Sequence, residues 1–368
     1  MWSDRSFKHD RWPESFRHDL AVQLHSMQKL CADVSAFQIQ TIIGRTTRLP
    51  ELREIAGAFE PEDLVELLKR APQLQTLRLR PLSPNVIPLI ESSTLSTLDL
   101  GWSSLALSEF QAVLKDCPLL ADFRAGSIIG PPVAVEPAIL LQMTSLRLCG
   151  WGGDALFLNA ITLPRLHTLL LRLPREDAAT NKTALATFLN RSRCHLARFG
   201  LYGCFESAAI YDCIRLCPTV EVLEMHDTVF SGEFPCESEV ERFRQATFPQ
   251  LRSLHIDVQV DNAWNHFARL VYKDLCTLVV ALRSNGAPLE KLVISIEDSA
   301  DRVGSGKCWF PPPFYARVLR RLLSDVTVKV KIHDDEYFEA EPQTIWWPPE
   351  AGVGDEQLEF ELKDDPSF

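Results

Sequence analysis

An eight-residue pattern, Pro-x-Leu-x-x-Leu-x-Leu, returns along most of this chain. It runs Pro72-Gln73-Leu74-Gln75-Thr76-Leu77-Arg78-Leu79, then Pro164-Arg165-Leu166-His167-Thr168-Leu169-Leu170-Leu171, then Pro249-Gln250-Leu251-Arg252-Ser253-Leu254-His255-Ile256. Pro288-Leu289-Glu290-Lys291-Leu292-Val293-Ile294 follows it, with looser copies at Pro118 and Pro218 and a first copy at Pro50. Three further copies, around Leu98, Leu146 and Phe199, keep the apolar spacing without the proline. The central apolar residues fall at 55, 77, 98, 123, 146, 169, 199, 223, 254 and 292, in steps of 21 to 38 residues. A unit this short cannot bury its own apolar face, so successive copies must stack and share a core. Alternate side chains of an extended segment point to opposite faces, so each Leu-x-Leu reads as a short strand with both leucines turned inward. Parallel strands need a crossover between them, which the intervening residues supply as helices.

The leucine spacing and the step length resemble those of leucine-rich-repeat proteins. The resemblance implies an α/β solenoid, an irregular horseshoe with a parallel sheet on its concave face and helices on its convex face. About ten repeats fill residues 48–300. Residues 1–47 read as an N-terminal helical cap, with a helix from Glu14 to Val34 carrying Phe16, Leu20, Leu24, Met27, Leu30 and Cys31 on one side. Helices are also expected at Pro61 to Arg70, at Ser108 to Asp116 with Ser108 as N-cap, and at Ala184 to Asn190. Others are expected at 206–216, 237–245, 263–283 and 313–323. Residues 301–332 read as a C-terminal cap ending in a strand from Val326 to Ile332, and 333–368 as an acidic, disordered tail.

Charge is unevenly placed. Residues 333–368 hold twelve acids and one lysine, and the whole chain carries a net −11, so residues 1–332 balance at zero. A neutral body argues against nucleic acid as the partner. No run of about 18 apolar residues occurs, so no membrane span is expected. The ten cysteines form no Cys-x-x-Cys, and several sit where a repeat wants a small buried residue. That usage points to a reduced cytoplasmic or nuclear setting. No cofactor or metal is expected. Gly304-Ser305-Gly306-Lys307 departs from a phosphate loop at Asp301, in place of its first glycine, and at Cys308, in place of its hydroxyl.

The residues beside the strand leucines face the concave side. The central column reads Glu54, Arg78, Asp99, Arg124, Arg147, Leu170, Gly200, Glu224, His255 and Val293. Flanking columns add Arg80, Asp122, Arg172, Arg198, Tyr202, His226, Asp257 and Lys291. Strands about 4.8 Å apart bring Arg124, Arg147, Arg172 and Arg198 near one another, and a partner's carboxylate or phosphate would relieve their repulsion. The expected function is therefore non-catalytic binding of a protein partner. The expected site is Arg78, Arg80, Asp99, Arg124, Arg147, Arg172, Arg198, Tyr202, Glu224, His226, His255 and Asp257. An alternative is an enzyme with a His/Asp site near His226 and His255.

The Cys-Pro-x-Leu and Leu-Pro-x-Leu lead-ins with irregular steps resemble the repeat region of fungal F-box proteins. That resemblance implies the substrate-recognition arm of a ubiquitin ligase, with a cullin–RING adaptor as second partner wherever an F-box is present. The Leu-Pro-x-Glu-Leu/Ile opening of an F-box has no match here; Trp12-Pro13-Glu14-Ser15-Phe16 departs from it. A repeat-only interaction protein unrelated to ubiquitin is the other reading.

Overall fold

Within each unit of the chain, the central apolar residues picked out by the repeat align from strand to strand. In the computed structural model, Leu30, Ile55, Leu77, Leu98 and Phe123 are successive Cα partners across strands β1 (Lys29–Asp33), β2 (Glu54–Ala58), β3 (Thr76–Leu79), β4 (Thr97–Asp99) and β6 (Asp122–Ala125). All four pairings are parallel. In the second unit a column of its own runs Leu146, Leu169, Phe199, Leu223, Leu254, Leu292 and Val328. Those residues lie on β9 (Ser145–Leu148), β11 (Thr168–Arg172), β12 (Arg198–Tyr202), β13 (Val222–His226), β14 (Ser253–Val260), β15 (Lys291–Asp298) and β16 (Thr327–Asp334), again all parallel. The chain divides into two compact units: Met1–Gly130 holds β1 to β4 and β6, with a separate pair of short strands, β5 (Leu105–Ala106) and β7 (Ile128–Ile129), and Pro131–Phe368 holds the rest, with a second such pair, β8 (Ala138–Ile139) and β10 (Ile161–Thr162). Among the described residues the protein is thus α/β, dominated by parallel strands.

The structure describes residues 26–33, 48–59, 61–79, 87, 90, 92–130, 137–150, 155–172, 178–202, 216–226, 249–260, 279–280, 282–284, 286–298, 326–334 and 343–347. Among these the core is built in columns. The first leucine of each copy, from Leu52, Leu74, Leu95 and Leu120 to Leu166, Leu196, Leu251 and Leu289, is buried, as is the central residue of each. The lead-in proline occupies the second position of a β-turn. Leu74 N donates to Ala71 O (3.1 Å), Leu120 N to Cys117 O (3.0 Å), Leu166 N to Leu163 O (3.2 Å) and Val220 N to Cys217 O (3.2 Å). Proline's fixed φ suits that position. One backbone carbonyl then receives two consecutive amides from the next strand: Gln75 O from Ser96 and Thr97, His167 O from Ala197 and Arg198, Arg252 O from Glu290 and Lys291. This motif recurs at rung after rung and locks the register.

Helices cover the core face. Helix α1 (Pro61–Arg70) has the predicted bounds, with Pro61 in its first turn, where a missing N–H costs nothing. Leu64 and Leu67 are buried, and Glu66 pairs with Lys69 (3.4 Å) and Arg70 (3.2 Å). Hydrogen bonds from those two bases hold the Glu66 carboxyl below its ordinary range. Helix α2 (Leu107–Asp116) starts earlier than predicted: Ala106, not Ser108, is the N-cap. Ala106 brings no capping side chain, and Glu109 Oε2 accepts from the Ala106 N–H instead (2.7 Å). Phe110 of this helix meets Phe123 of β6, ring centroids 5.0 Å apart and tilted by 49°, which ties helix to strand. Helix α3 (Ala178–Ser192) extends well beyond the predicted 184–190. Its Asn181 is fully buried and accepts the Ala155 N–H at 2.8 Å, anchoring the short 3-10 helix Ala155–Ala160.

The ends differ from the reading of the sequence. The helix expected over Glu14–Val34 gives way at its end to β1, which pairs with β2 along its whole length. Lys29-Leu30-Cys31-Ala32-Asp33 alternates as well as it spirals, and the open edge of β2 decides between them. Parallel pairing is therefore present before residue 48 in the first unit and, through β16, beyond residue 300 in the second. Inside the tail expected to be disordered, β17 (Gln343–Trp347) pairs antiparallel with β16, placing Trp347 opposite Val328 and Ile345 opposite Val330. Residues 1–25 and the helices expected at 206–216, 237–245 and 313–323 fall wholly or almost wholly outside the described residues, as does most of the one expected at 263–283.

Candidate functional site on the outer face of the ladder

The face opposite the core carries the predicted site, and its register corrects the sequence reading at one point. Ala56, not Glu54, is the Cα partner of Arg78; Glu54 pairs with Thr76 two residues earlier. Both positions face outward, and the Glu54 carboxylate still lies between two bases, 3.0 Å from Lys29 Nζ and 3.8 Å from Arg78 Nε. Asp99, partner of Arg78 in register, is 3.8 Å from Arg124 on its other side. Its Oδ1 also accepts the Gly101 N–H at 2.9 Å. The first unit therefore presents base, acid, base, acid, base on five successive strands.

The second unit repeats the theme. Glu224 is buried and receives Arg198, whose Nε and Nη2 both reach its Oε1. His255, partner of Glu224 in register, places Nδ1 3.7 Å from the same oxygen, and its Nε2 meets Ser253 Oγ at 3.0 Å. Gly200 lies between Leu170 and Glu224 in the same column. A Cβ there would stand 2.5 Å from Leu170 Cδ2 and 3.1 Å from Glu224 Cβ, so the missing side chain lets both neighbours lean into one notch. Leu170 and Val293 are buried although they face away from the core.

The predicted mutual repulsion of arginines is not what organises this face. Arg147 donates from Nε to Ser145 Oγ (3.1 Å), and Arg172 from Nη1 to the Cys149 carbonyl (3.4 Å). Arg78, Arg124 and Arg198 each have a carboxylate on an adjacent strand. What the sequence could not show is depth. Lys29, Arg78 and Arg124 are 56, 50 and 36% exposed, but Glu54 and Asp99 only 23 and 13%; Arg198 is 41% exposed over Glu224 at 3%. Acids form the floor and bases the surface.

Of the other predicted residues, Tyr202 and His226 are Cα partners on β12 and β13, and Asp257 pairs with Ser295 on β14 and β15. Their side chains, and Arg80 altogether, lie outside the described residues. His255, for its part, approaches Glu224 and Ser253.

Sequence reasoning missed one prominent residue. Trp102 is 66% exposed in the turn that follows Asp99. Its backbone is fixed: Ser103 N donates to Leu100 O (3.2 Å), Gly126 N to Ser103 O (2.8 Å), and the neighbouring Ser104 and Ser127 hydroxyls meet at 2.7 Å. A Cβ at Gly126 would fall 2.2 Å from the Trp102 carbonyl oxygen, so this close approach requires glycine. Away from the ladder, a groove between the 3-10 helix and α3 is lined by Leu156, Asn159, Thr180, Thr183, Ala184 and Thr187, none of them titratable.

Among the described residues no group of three His, Cys, Asp or Glu side chains is arranged to hold a metal ion. No described helix is long and apolar enough to cross a membrane. No family model matches the chain, and no curated protein matches it.

Proposed function

We propose that this chain is a non-catalytic, protein-binding leucine-rich-repeat solenoid that docks its partner on the outer face of the parallel ladder. The observation that carries the reading is the exposed row of bases held over buried carboxylates on register-locked strands. Such a row is oriented before a partner arrives, so little side-chain entropy is lost on binding. Arginine beside an exposed tryptophan is the composition of interaction hot spots. The charge also suits a role as the substrate-recognition arm of an F-box-type ubiquitin ligase, and co-purification of a cullin–RING adaptor separates that role from a repeat-only scaffold. The direct test is affinity capture from the native cell with the wild-type chain and with Arg78→Ala/Arg124→Ala. Both side chains are exposed enough for the fold to tolerate their loss. Specific partners lost from the variant, at unchanged melting temperature, support the reading; an identical set captured by both chains sinks it.

One arrangement favours a second reading. His255 bridges Ser253 Oγ and the Glu224 carboxylate in the order of a base between a hydroxyl and its orienting acid. Arg198 already neutralises Glu224, which weakens that acid's hold on a protonated His255. Labelling by a fluorophosphonate that disappears in Ser253→Ala and His255→Ala would favour hydrolysis.

A further inference from the structure

Resting on the docking face proposed above, we infer that the first unit recognises an acidic segment in polyproline II conformation, with a carboxylate at every third residue. The bases stand on alternate strands of the ladder: Lys29 on β1, Arg78 on β3 and Arg124 on β6, with the acids Glu54 and Asp99 on the strands between. Arg78 and Arg124 share one register row, where two strand spacings separate them by about 9.6 Å, while Lys29 lies in the row two residues earlier. A polyproline II helix advances about 9.3 Å per three-residue turn, and every third side chain returns to the same face. Two carboxylates spaced by three residues therefore meet Arg78 and Arg124 in phase, with Lys29 as a further base off that row. An extended β-strand does not: its residues i and i+3 point to opposite faces, and i and i+2 are only about 6.8 Å apart.

The floor selects against other polyanions. Glu54 and Asp99 lie between the bases, so a chain with a charge at every unit sets negative groups over them. A segment with neutral residues between its acids does not. Trp102 follows Asp99 by three residues on a pinned turn and offers a flat apolar surface. Polyproline segments dock on such aromatic faces, so the segment carries proline beside its acids. Each guanidinium can hold the incoming carboxylate with two parallel hydrogen bonds while its own floor acid stays in place.

The experiment is fluorescence polarisation with the full chain and labelled twelve-residue peptides. One is proline-rich with Glu at every third position, one has the same composition with Glu at every second position, and one is scrambled. A single-stranded oligonucleotide is the fourth probe. The every-third peptide is expected to bind at least tenfold more tightly than the other two peptides and than the oligonucleotide. Arg78→Ala/Arg124→Ala and Trp102→Ala should each weaken it about tenfold, with melting temperatures unchanged, and added salt should weaken it further. Equal affinity for all spacings, tighter oligonucleotide binding, or indifference to Arg78→Ala/Arg124→Ala overturns the inference. If the peptides fail while capture of cellular partners still depends on Arg78 and Arg124, the spacing rule falls and the docking face stands. If neither responds, both fall.

Discussion

Arg198 sits over the buried carboxylate of Glu224 on the neighbouring strand, with His255 on the far side of the same oxygen. Removing the arginine leaves a buried charge without its strongest partner, a change that costs about 3–5 kcal/mol. Arg198→Met should therefore lower stability by roughly 3 kcal/mol in urea unfolding at neutral pH. Because much of that loss is the stranded charge, Arg198→Met/Glu224→Gln should recover at least half of it. A double variant no better than the single one would show that packing, not charge, fixes this pair.

The two close-approach glycines should behave differently. At Gly126 the clash is with backbone, the Trp102 carbonyl at 2.2 Å, and Gly126→Ala should cost about 3 kcal/mol or more. At Gly200 the nearest atom is the end of the Leu170 side chain, which can turn away, so Gly200→Ala should cost only about 1 kcal/mol. Thermal melts of the two variants check the order, and Gly126→Ala should also alter Trp102 fluorescence.

Arg191 fastens the end of the 3-10 helix. Its Nη2 donates to the Leu158 and Ile161 carbonyls, both at 2.6 Å, and its Nε to Thr162 Oγ1 at 3.0 Å. Burial pulls its pKa down from the ordinary arginine value. Arg191→Met keeps the apolar stem but abandons these acceptors, and should lower stability by about 2 kcal/mol. Arg191→Lys should recover part of this. An Arg191→Met protein as stable as the parent would mean that water satisfies the carbonyls.

The cysteines should differ in reactivity. Burial pushes the Cys194 thiol up to about 11, so at pH 8 roughly one molecule in a thousand holds the thiolate that alkylating reagents need. Cys31 is exposed. Iodoacetamide at pH 8 should mark Cys31 well before Cys194, and Cys194 labelling should accelerate about tenfold per pH unit until near pH 11. Peptide mass mapping over time reads this directly; simultaneous labelling would contradict the burial of Cys194.

The repeat itself was fully legible. Leu77 and Leu98 in the first unit, and Leu169, Leu223, Leu254 and Leu292 in the second, could be aligned from spacing alone, because a buried strand residue has a fixed period and a fixed neighbour, and each unit keeps that alignment. Helix α1 was legible for the same reason, its apolar spacing being unambiguous and its proline marking the start. The ends were not: Lys29–Asp33 satisfies two periods, and Gln343–Trp347 is a short apolar run amid charge, so in each case an available sheet edge made the choice. At the face, the sequence determined which residues point outward, since alternation along a strand is a matter of covalent geometry. Depth was decided by tertiary structure alone. That Glu224 and Asp99 sink beneath Arg198 and Arg124, and that Trp102 stands clear on a rigid turn, depends on what neighbouring strands leave open, such as the notch at Gly200. Exposure is a sum over distant parts of the chain, and no local pattern encodes it.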